Sequence, residues 1–267
     1  MKKYISMVLV AVMALTTMIL MTGCGSDSSS DMKDSEYVAD QGKLIVGITD
    51  FEPMDYKDKD GNWIGFDADM AKAFAKSLGV EAEFVEIDWD QKELELENKS
   101  IDVVWNGMTL TDAIKEAMAT SNPYCDNGQV VVVSKDKAAK YKDADACKDL
   151  VFAVEAGSAG ALVASENGYE VTEVQTQANA LMEVKAGTAD ACIIDLLMAD
   201  AMIGEGTSYP DLATAAKLSS EQYGVGFRKG SDLAEKLNEF FVTSYEDGSM
   251  QKCADKYKVG ASVIEQK

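Results

Sequence analysis

The feature that most constrains the fold is an alternation of β-branched strand segments with helical segments that occurs twice along the chain. The predicted strands lie at 43–48, 82–87 and 101–105, then at 150–154, 171–174 and 191–194, and the helices between them at 67–78, 91–98, 157–166 and 178–186. This alternation is typical of an open α/β sheet. Because the pattern stops and then restarts, we expect two α/β units.

Two segments connect these units. The valine-rich strand Gln129–Ser134 leads from the first unit to the second, and a strand near Gln222–Phe227 leads back. Helices predicted at 232–247 and 250–257 follow. Two lobes joined by two crossing segments enclose a cleft, which is a common place for a small ligand.

The amino terminus has the pattern of an export signal. Two lysines are followed by an apolar run over Tyr4–Met21, which ends at Gly23-Cys24. This arrangement resembles the signal peptide of bacterial lipoproteins, with Cys24 as the lipidated residue. The resemblance implies removal of 1–23, a lipid anchor on the extracytoplasmic face of the cell membrane, and a flexible tether over 24–40. The alternative is an uncleaved membrane anchor, because about 18 apolar residues can just span a bilayer.

Composition excludes several kinds of site. The chain has no histidine, which excludes Ser-His-Asp and Cys-His catalysis and histidine-ligated metals. We therefore predict no catalytic residue, no metal and no cofactor. The formal net charge of −21 argues against a nucleic acid partner, because phosphate backbones repel an acidic surface. Arg228 is the single arginine, so bidentate recognition of a carboxylate by a guanidinium is restricted to that one residue.

Four cysteines follow the export signal, and they do not fix a pairing. They are Cys125, Cys147, Cys192 and Cys253. None belongs to a Cys-x-x-Cys pair, so a thiolate metal site has little support. Buried free thiols and a single disulfide both remain open.

Seven short stretches occur in an order that resembles a known family. They are VGITDFEPM at 46–54, GFDAD at 65–69, IDVVWNGMT at 101–109, SNPY at 121–124, EAGS at 155–158, ADA at 189–191 with Asp195, and YGVGFRKG at 223–230. The chain resembles the type II periplasmic-type solute-binding proteins of ABC transporters, in the polar amino acid group.

The resemblance implies an α/β fold of two lobes. Lobe 1 would span 41–128 and 223–267, and lobe 2 would span 129–222. Such a protein captures a small ligand by lobe closure and delivers it to a membrane permease driven by an ATPase. The resemblance also implies a monomer without catalytic activity.

The resemblance assigns five ligand contacts to lobe 1. Asp50 would face a ligand ammonium, and Phe51 and Trp89 would surround the ligand side chain. Gly107 would offer its carbonyl to the ammonium, and Thr109 its hydroxyl to the carboxylate. The simpler alternatives are a solvated turn for the aspartate and core packing for the two rings.

Three further contacts are assigned to lobe 2. Asp195 would hold the α-ammonium, and Glu155 would lie at a position that varies with the ligand side chain. Ser158, at a predicted helix start, would bind an anion through its hydroxyl and nearby N–H groups. A helix-capping serine with no ligand contact is the simpler alternative for that residue.

One position departs from the family pattern. Relatives carry an arginine that clamps the α-carboxylate where this chain has Ile114. In one interpretation, Thr109, Ser158, backbone N–H groups and Lys115 hold the carboxylate of an amino acid without a guanidinium. In the other, the ligand is a cationic amine that lacks an α-carboxylate. A dehydratase-like enzyme on the same fold is a weaker third possibility.

Overall fold

Two β-sheets organise residues 32–267, the part of the chain that this computed structural model describes. The predicted signal peptide (1–23) and the lipidation site at Cys24 lie outside the described residues. Within 32–267, no helix is long and apolar enough to cross a membrane.

The segment 34–127 supplies most of the first sheet. Its elements are α1 (Asp34–Gln41), β1 (Lys43–Ile48), β2 (Tyr56–Lys57), β3 (Trp63–Ile64), α2 (Phe66–Ser77), β4 (Glu81–Glu86), α3 (Lys92–Glu97), β5 (Val103–Thr109), α4 (Asp112–Ala117), β6 (Ala119–Thr120) and β7 (Cys125–Asn127). In α2, Phe66, Met70 and Phe74 are buried at intervals of four residues. This one-sided pattern is the basis on which the sequence predicts the helix.

The segment 129–217 builds the second sheet. Its elements are β8 (Gln129–Ser134), β9 (Val151–Glu155), α5 (Ala159–Asn167), β10 (Glu170–Val174), α6 (Gln177–Ala186), β11 (Ala191–Asp195), α7 (Leu196–Met202) and β12 (Leu212–Lys217). The sequence does not predict β12, because its composition is dominated by alanine rather than by β-branched residues. Pairing with β8 supplies the stability that local propensity lacks.

The chain returns to the first sheet with β13 (Glu221–Phe227), which is followed by α8 (Leu233–Glu246) and α9 (Ser249–Lys256). The strand order is β4-β1-β5-β13-β6 in the first sheet and β10-β9-β11-β8-β12 in the second. In each sheet one strand, β13 in the first and β8 in the second, lies antiparallel to its neighbours in an otherwise parallel arrangement. The predicted α/β class with two lobes is confirmed.

The chain changes sheets at Gly128 and again within 218–220. The two crossings lie side by side, because the Leu218 N–H donates to the Gln129 carbonyl at 2.8 Å. The sequence predicts crossings after 128 and after 222. The pairing of β7 with β13 places Glu221 in the first sheet.

The prediction of a flexible tether over 24–40 is wrong for 34–40, because these residues belong to helix α1. Tertiary contacts explain the difference. Val38 is fully buried, and the Ser35 hydroxyl donates to Asp232 Oδ2 at 2.6 Å. The polar composition of the segment predicts flexibility, but these contacts hold it against the first lobe.

The single arginine holds three parts of this lobe together. Arg228 pairs with Asp34 at 3.1 Å and with Asp102 at 3.0 Å, and it donates to the Ile101 carbonyl at 2.8 Å. The Arg228 side chain is 10% exposed and that of Asp102 only 2%. All three guanidinium nitrogens are therefore engaged in a structural role.

The four cysteines of the described region are free thiols. Cys125, Cys147 and Cys192 are buried, and Cys253 is partly buried. Burial in apolar surroundings raises the pKa of all four thiols. Of the two possibilities that the sequence leaves open, the structure shows the free thiols.

We predict that Arg228→Met lowers the free energy of unfolding by about 3 kcal/mol, because it leaves the buried Asp102 carboxylate without its charged partner. Urea denaturation measures the change, with Lys252→Met as a control at an exposed position of α9. Equal stability of the Arg228 variant and the wild type would contradict the structural role of this pair.

Candidate ligand-binding site

A cavity of about 380 Å³ lies between the two sheets and is lined by side chains of both lobes. Seven of the eight residues that the sequence predicts as ligand contacts line it: Phe51, Trp89, Gly107, Thr109, Glu155, Ser158 and Asp195. They come from the ends of strands and from the segments that follow them, where open α/β sheets bind ligands.

Asp50 is the eighth predicted contact, and it lies outside this lining. Its side chain is exposed just after β1. Partial burial and the nearby Glu86 carboxylate raise its pKa. Lys115, which the sequence offers as a substitute for the missing arginine, is also exposed and does not line the cavity.

Asp195 ends β11, and its carboxyl group accepts side-chain hydrogen bonds from four residues. Its Oδ1 accepts from the Tyr223 hydroxyl at 2.7 Å and from Gln129 Nε2 at 3.1 Å. Side-chain amides of Asn127 and Gln177 also donate to this carboxyl group. Two of these donors flank the first crossing, and the strands among their elements belong to both sheets, so the carboxyl is fixed where the lobes meet.

Glu221 lies beside Asp195 at the second crossing and shares its donors. Its Oε1 accepts from Gln129 Nε2 at 2.7 Å and from Asn127 Nδ2 at 2.8 Å. The Thr109 hydroxyl donates to the same oxygen at 3.0 Å. The hydroxyl proposed for a ligand carboxylate is thus already paired with a protein carboxylate.

Glu155, at the end of β9, is the one acid of the described cavity lining with a buried oxygen that lacks a hydrogen-bond partner. Its side chain is 2% exposed and lines the cavity, and Oε1 has no hydrogen-bond partner. Burial, and secondarily the charge of Asp195, raise the pKa of Glu155 to about 8. Burial and the nearby Glu221 carboxyl also raise the pKa of Asp195. An unpaired buried carboxyl is costly unless a ligand completes its hydrogen bonds.

Gly107 forms the floor of the cavity on the first lobe. Its φ of +55° favours glycine, and a Cβ atom there would lie 2.5 Å from the Phe51 ring. Its N–H donates to the buried Asp67 carboxylate at 2.7 Å. The lack of a side chain therefore lets the backbone and the Phe51 ring approach each other closely.

Ser158 caps α5, because its hydroxyl oxygen accepts from the Ala161 N–H at 3.1 Å. The helix-capping alternative considered for this residue therefore holds. The hydroxyl proton remains free to donate, and the serine lines the cavity. The structural and ligand-binding roles are compatible.

Lys92 lines the cavity, and sequence reasoning missed it. It begins α3, an acidic surface helix in which a lysine is expected to face solvent. Instead it is 7% exposed, and its Nζ donates to the Trp89 carbonyl at 3.0 Å and to the Gly157 carbonyl at 3.1 Å. The second bond crosses from one lobe to the other.

The lobes meet closely on this side of the cavity. A Cβ atom on Gly157 would lie 2.7 Å from the Asp90 backbone, so only glycine fits. Nearby, Gln175 Nε2 donates to Asp88 Oδ1 at 2.7 Å. The residues facing the cavity are thus held in a closed arrangement.

Ile114 stands where the family pattern has its arginine. It is buried and lines the cavity, and it belongs to an apolar cluster with Trp89, Met108 and Met118. The wall at this point is apolar.

No group of three or more Cys, Asp or Glu residues within 32–267 is arranged to hold a metal ion.

The sequence matches a known protein family. Residues 44–260 match the profile of the bacterial extracellular solute-binding proteins, family 3. The chain belongs to that family. This confirms the resemblance from which the site residues were predicted.

Individual relatives span the whole fold. This solute-binding protein is 29% identical to the L-cystine-binding protein TcyJ of Escherichia coli K12, over 95% of its own length and 96% of that protein. It is 30% identical to the arginine-binding extracellular protein ArtP of Bacillus subtilis 168, over 97% and 99%. The structure of holo ArgBP from T. maritima aligns with a TM-score of 0.74 at 36% identity, covering 81% of this chain and 98% of that one.

We predict that the stability of the ligand-free protein falls as the pH rises from about 4.5 to about 8. Glu155 has an ordinary pKa of 4.5 in the unfolded chain and about 8 in the folded protein. The folded state binds more protons in this interval, so the stabilisation is complete below 4.5 and is lost as the pH rises through 8. Denaturation curves across this range measure the effect.

Glu155→Gln should flatten this dependence, because it removes one of the groups that bind the extra protons. Glu166→Gln, at an exposed position of α5, is the matched control and should leave the wild-type slope unchanged. A Glu155→Gln variant with the wild-type slope would show that this carboxyl is not protonated in the folded protein.

Proposed function

We propose that this protein is the extracytoplasmic, lipid-anchored receptor of an ABC importer, and that it captures an amino acid through its α-ammonium group. The observation that carries the proposal is the buried Glu155 Oε1, a carboxyl oxygen without a hydrogen-bond partner in a cavity lined by both lobes.

An ammonium group matches what this end of the cavity lacks. It brings three N–H donors, and Glu155 Oε1 needs one. Its positive charge also favours the ionised forms of Glu155 and Asp195, whose pKa values burial has raised. Ligand binding would therefore convert costly buried acids into charge-paired carboxylates.

The rest of the lining suits an organic side chain. It includes the aromatic residues Phe51 and Trp89 and the apolar residues Met108 and Leu162. Cation–π and apolar contacts are both available there. The curated relatives described above are named for cystine and arginine, which share the α-amino acid head and differ in the side chain. This shared head supports assigning the acid cluster to the ammonium.

Contacts from both lobes provide the means of capture. A ligand that bridges Glu155 of one lobe and Trp89 of the other stabilises the closed arrangement over an open one. In the proposed pathway Cys24 carries the lipid anchor, the receptor stays at the outer face of the cell membrane, and a permease with its ATPase receives the ligand.

A cationic amine without an α-carboxylate is the second candidate ligand. Two observations favour it: the Thr109 hydroxyl is paired with Glu221, and Ile114 makes the usual carboxylate position apolar. A dehydratase-like activity has no comparable support, and the relatives described above are named as binding proteins.

We predict that amino acids raise the apparent melting temperature more than the amines formed by their decarboxylation. A true ligand stabilises the protein by mass action in proportion to its affinity. The screen uses matched pairs: arginine with agmatine, histidine with histamine, and cystine with cystamine. Shifts with the amines alone would overturn the amino acid assignment and favour the second candidate.

We predict that Ile114→Arg strengthens amino acid binding by roughly tenfold, because a charged hydrogen bond to the ligand carboxylate contributes about 1.5–3 kcal/mol and part of this offsets burial of the guanidinium. Calorimetric titration with the best amino acid of the screen measures the change. Ile114→Met is the control for altered packing. Equal or weaker binding by the arginine variant would count against a carboxylate near this wall.

A further inference from the structure

We infer that Lys92 binds the carboxylate of the ligand. It would thus perform the role for which the family pattern has an arginine at position 114. This inference rests on the proposed capture of an amino acid. It assigns a specificity-determining contact to a residue outside the motifs that identify the family.

The charged side chains around the cavity favour this role for Lys92. Among the described residues that line it, Lys92 is the only basic one, while Glu93, Glu155, Glu173 and Asp195 are acidic. The guanidinium of Arg228 is engaged elsewhere, with Asp34 and Asp102. A carboxylate entering this cavity therefore has one positively charged side chain to meet.

The Lys92 ammonium has more N–H donors than the protein has acceptors for it. It has three N–H donors, and two carbonyl oxygens accept from it, those of Trp89 and Gly157. Neither acceptor carries a formal charge, and the side chain is 7% exposed. Burial lowers the pKa of Lys92, which reflects incomplete compensation of its charge. The ammonium also lies 4.9 Å from the centroid of the Trp89 ring. Its third N–H donor can therefore serve a ligand carboxylate.

Other hydrogen-bond donors lie near the Lys92 ammonium. Gly157, whose carbonyl it bonds, directly precedes Ser158, which has a free hydroxyl proton at the start of α5. The first N–H groups of a helix have no backbone partner within it, and here the Ser158 hydroxyl oxygen accepts from one of them, that of Ala161. Lys92, Ser158 and the helix start together form an anion-binding corner at the junction of the lobes.

Glu155 and Lys92 offer complementary groups to a ligand within one cavity. Both side chains line it, and each influences the pKa of the other. An α-amino acid presents an ammonium and a carboxylate on one carbon atom. Its ammonium at Glu155 and its carboxylate at Lys92 would match this pair, whereas an amine would leave Lys92 unpaired.

A purely structural role for Lys92 makes a different prediction. Its bond to the Gly157 carbonyl crosses between lobes, so it also stabilises closure. Loss of that bond alone would weaken amino acids and amines by the same factor. Loss of a carboxylate contact would weaken only the amino acid further.

The test is therefore a ratio of affinities for a matched ligand pair. Calorimetry gives the dissociation constants of arginine and agmatine, or of whichever pair stabilises the protein best, for the wild type and for Lys92→Met, Lys92→Arg and Lys76→Met. The methionine preserves the apolar stem of Lys92. Lys76, exposed on α2, supplies the control.

We expect the wild type to prefer the amino acid by at least about tenfold, as for a charged hydrogen bond, and Lys92→Met to bring this preference close to one. Lys92→Arg should keep the preference, and Lys76→Met should behave as the wild type. An unchanged preference in Lys92→Met, with amino acids still bound, overturns this inference and leaves the proposed function intact. Binding of amines but of no amino acid overturns the proposed function as well.

Discussion

A buried cluster of acids at the junction of the lobes is the constraint on which the rest of the structure depends. Asp195 and Glu221 share amide donors from Asn127 and Gln129, which flank the first crossing of the chain. Asp195 is buried and Glu221 is partly buried, and carboxylates so close together are unstable unless donors or cations surround them. The crossings provide donors, and the cavity provides access for a cation.

This arrangement links binding to the position of the lobes. Asp195 belongs to the second sheet, whereas Tyr223, which donates to it, belongs to the first. Any relative motion of the sheets changes the partners of these acids. A ligand ammonium that completes the hydrogen bonds of Glu155 therefore favours the arrangement in which both lobes face it.

The fold was largely predictable because its information is local and periodic. Buried positions four apart define α2, and consecutive valines define β8. The errors occurred where tertiary contacts override local composition. Helix α1 depends on Asp232 and Arg228, which are distant in sequence, and β12 depends on pairing with β8.

The site was predictable to the extent that it follows family motifs. Those motifs led to seven of the residues that line the cavity, but not to Lys92. A lysine among glutamates predicts a solvated helix face, and only the approach of Gly157 from the other lobe buries it. The single arginine, conversely, is engaged with Asp34 and Asp102 in the first lobe.

The central claim is that buried acids, protonated while the cavity is empty, ionise against the ligand ammonium. Titration calorimetry at pH 7, in buffers of different ionisation enthalpy, tests it most directly, because Glu155 has a pKa of about 8 in the ligand-free protein. If these acids ionise against the ligand ammonium, binding releases protons, and Glu155→Gln reduces the number released. Binding with no net release of protons would contradict it.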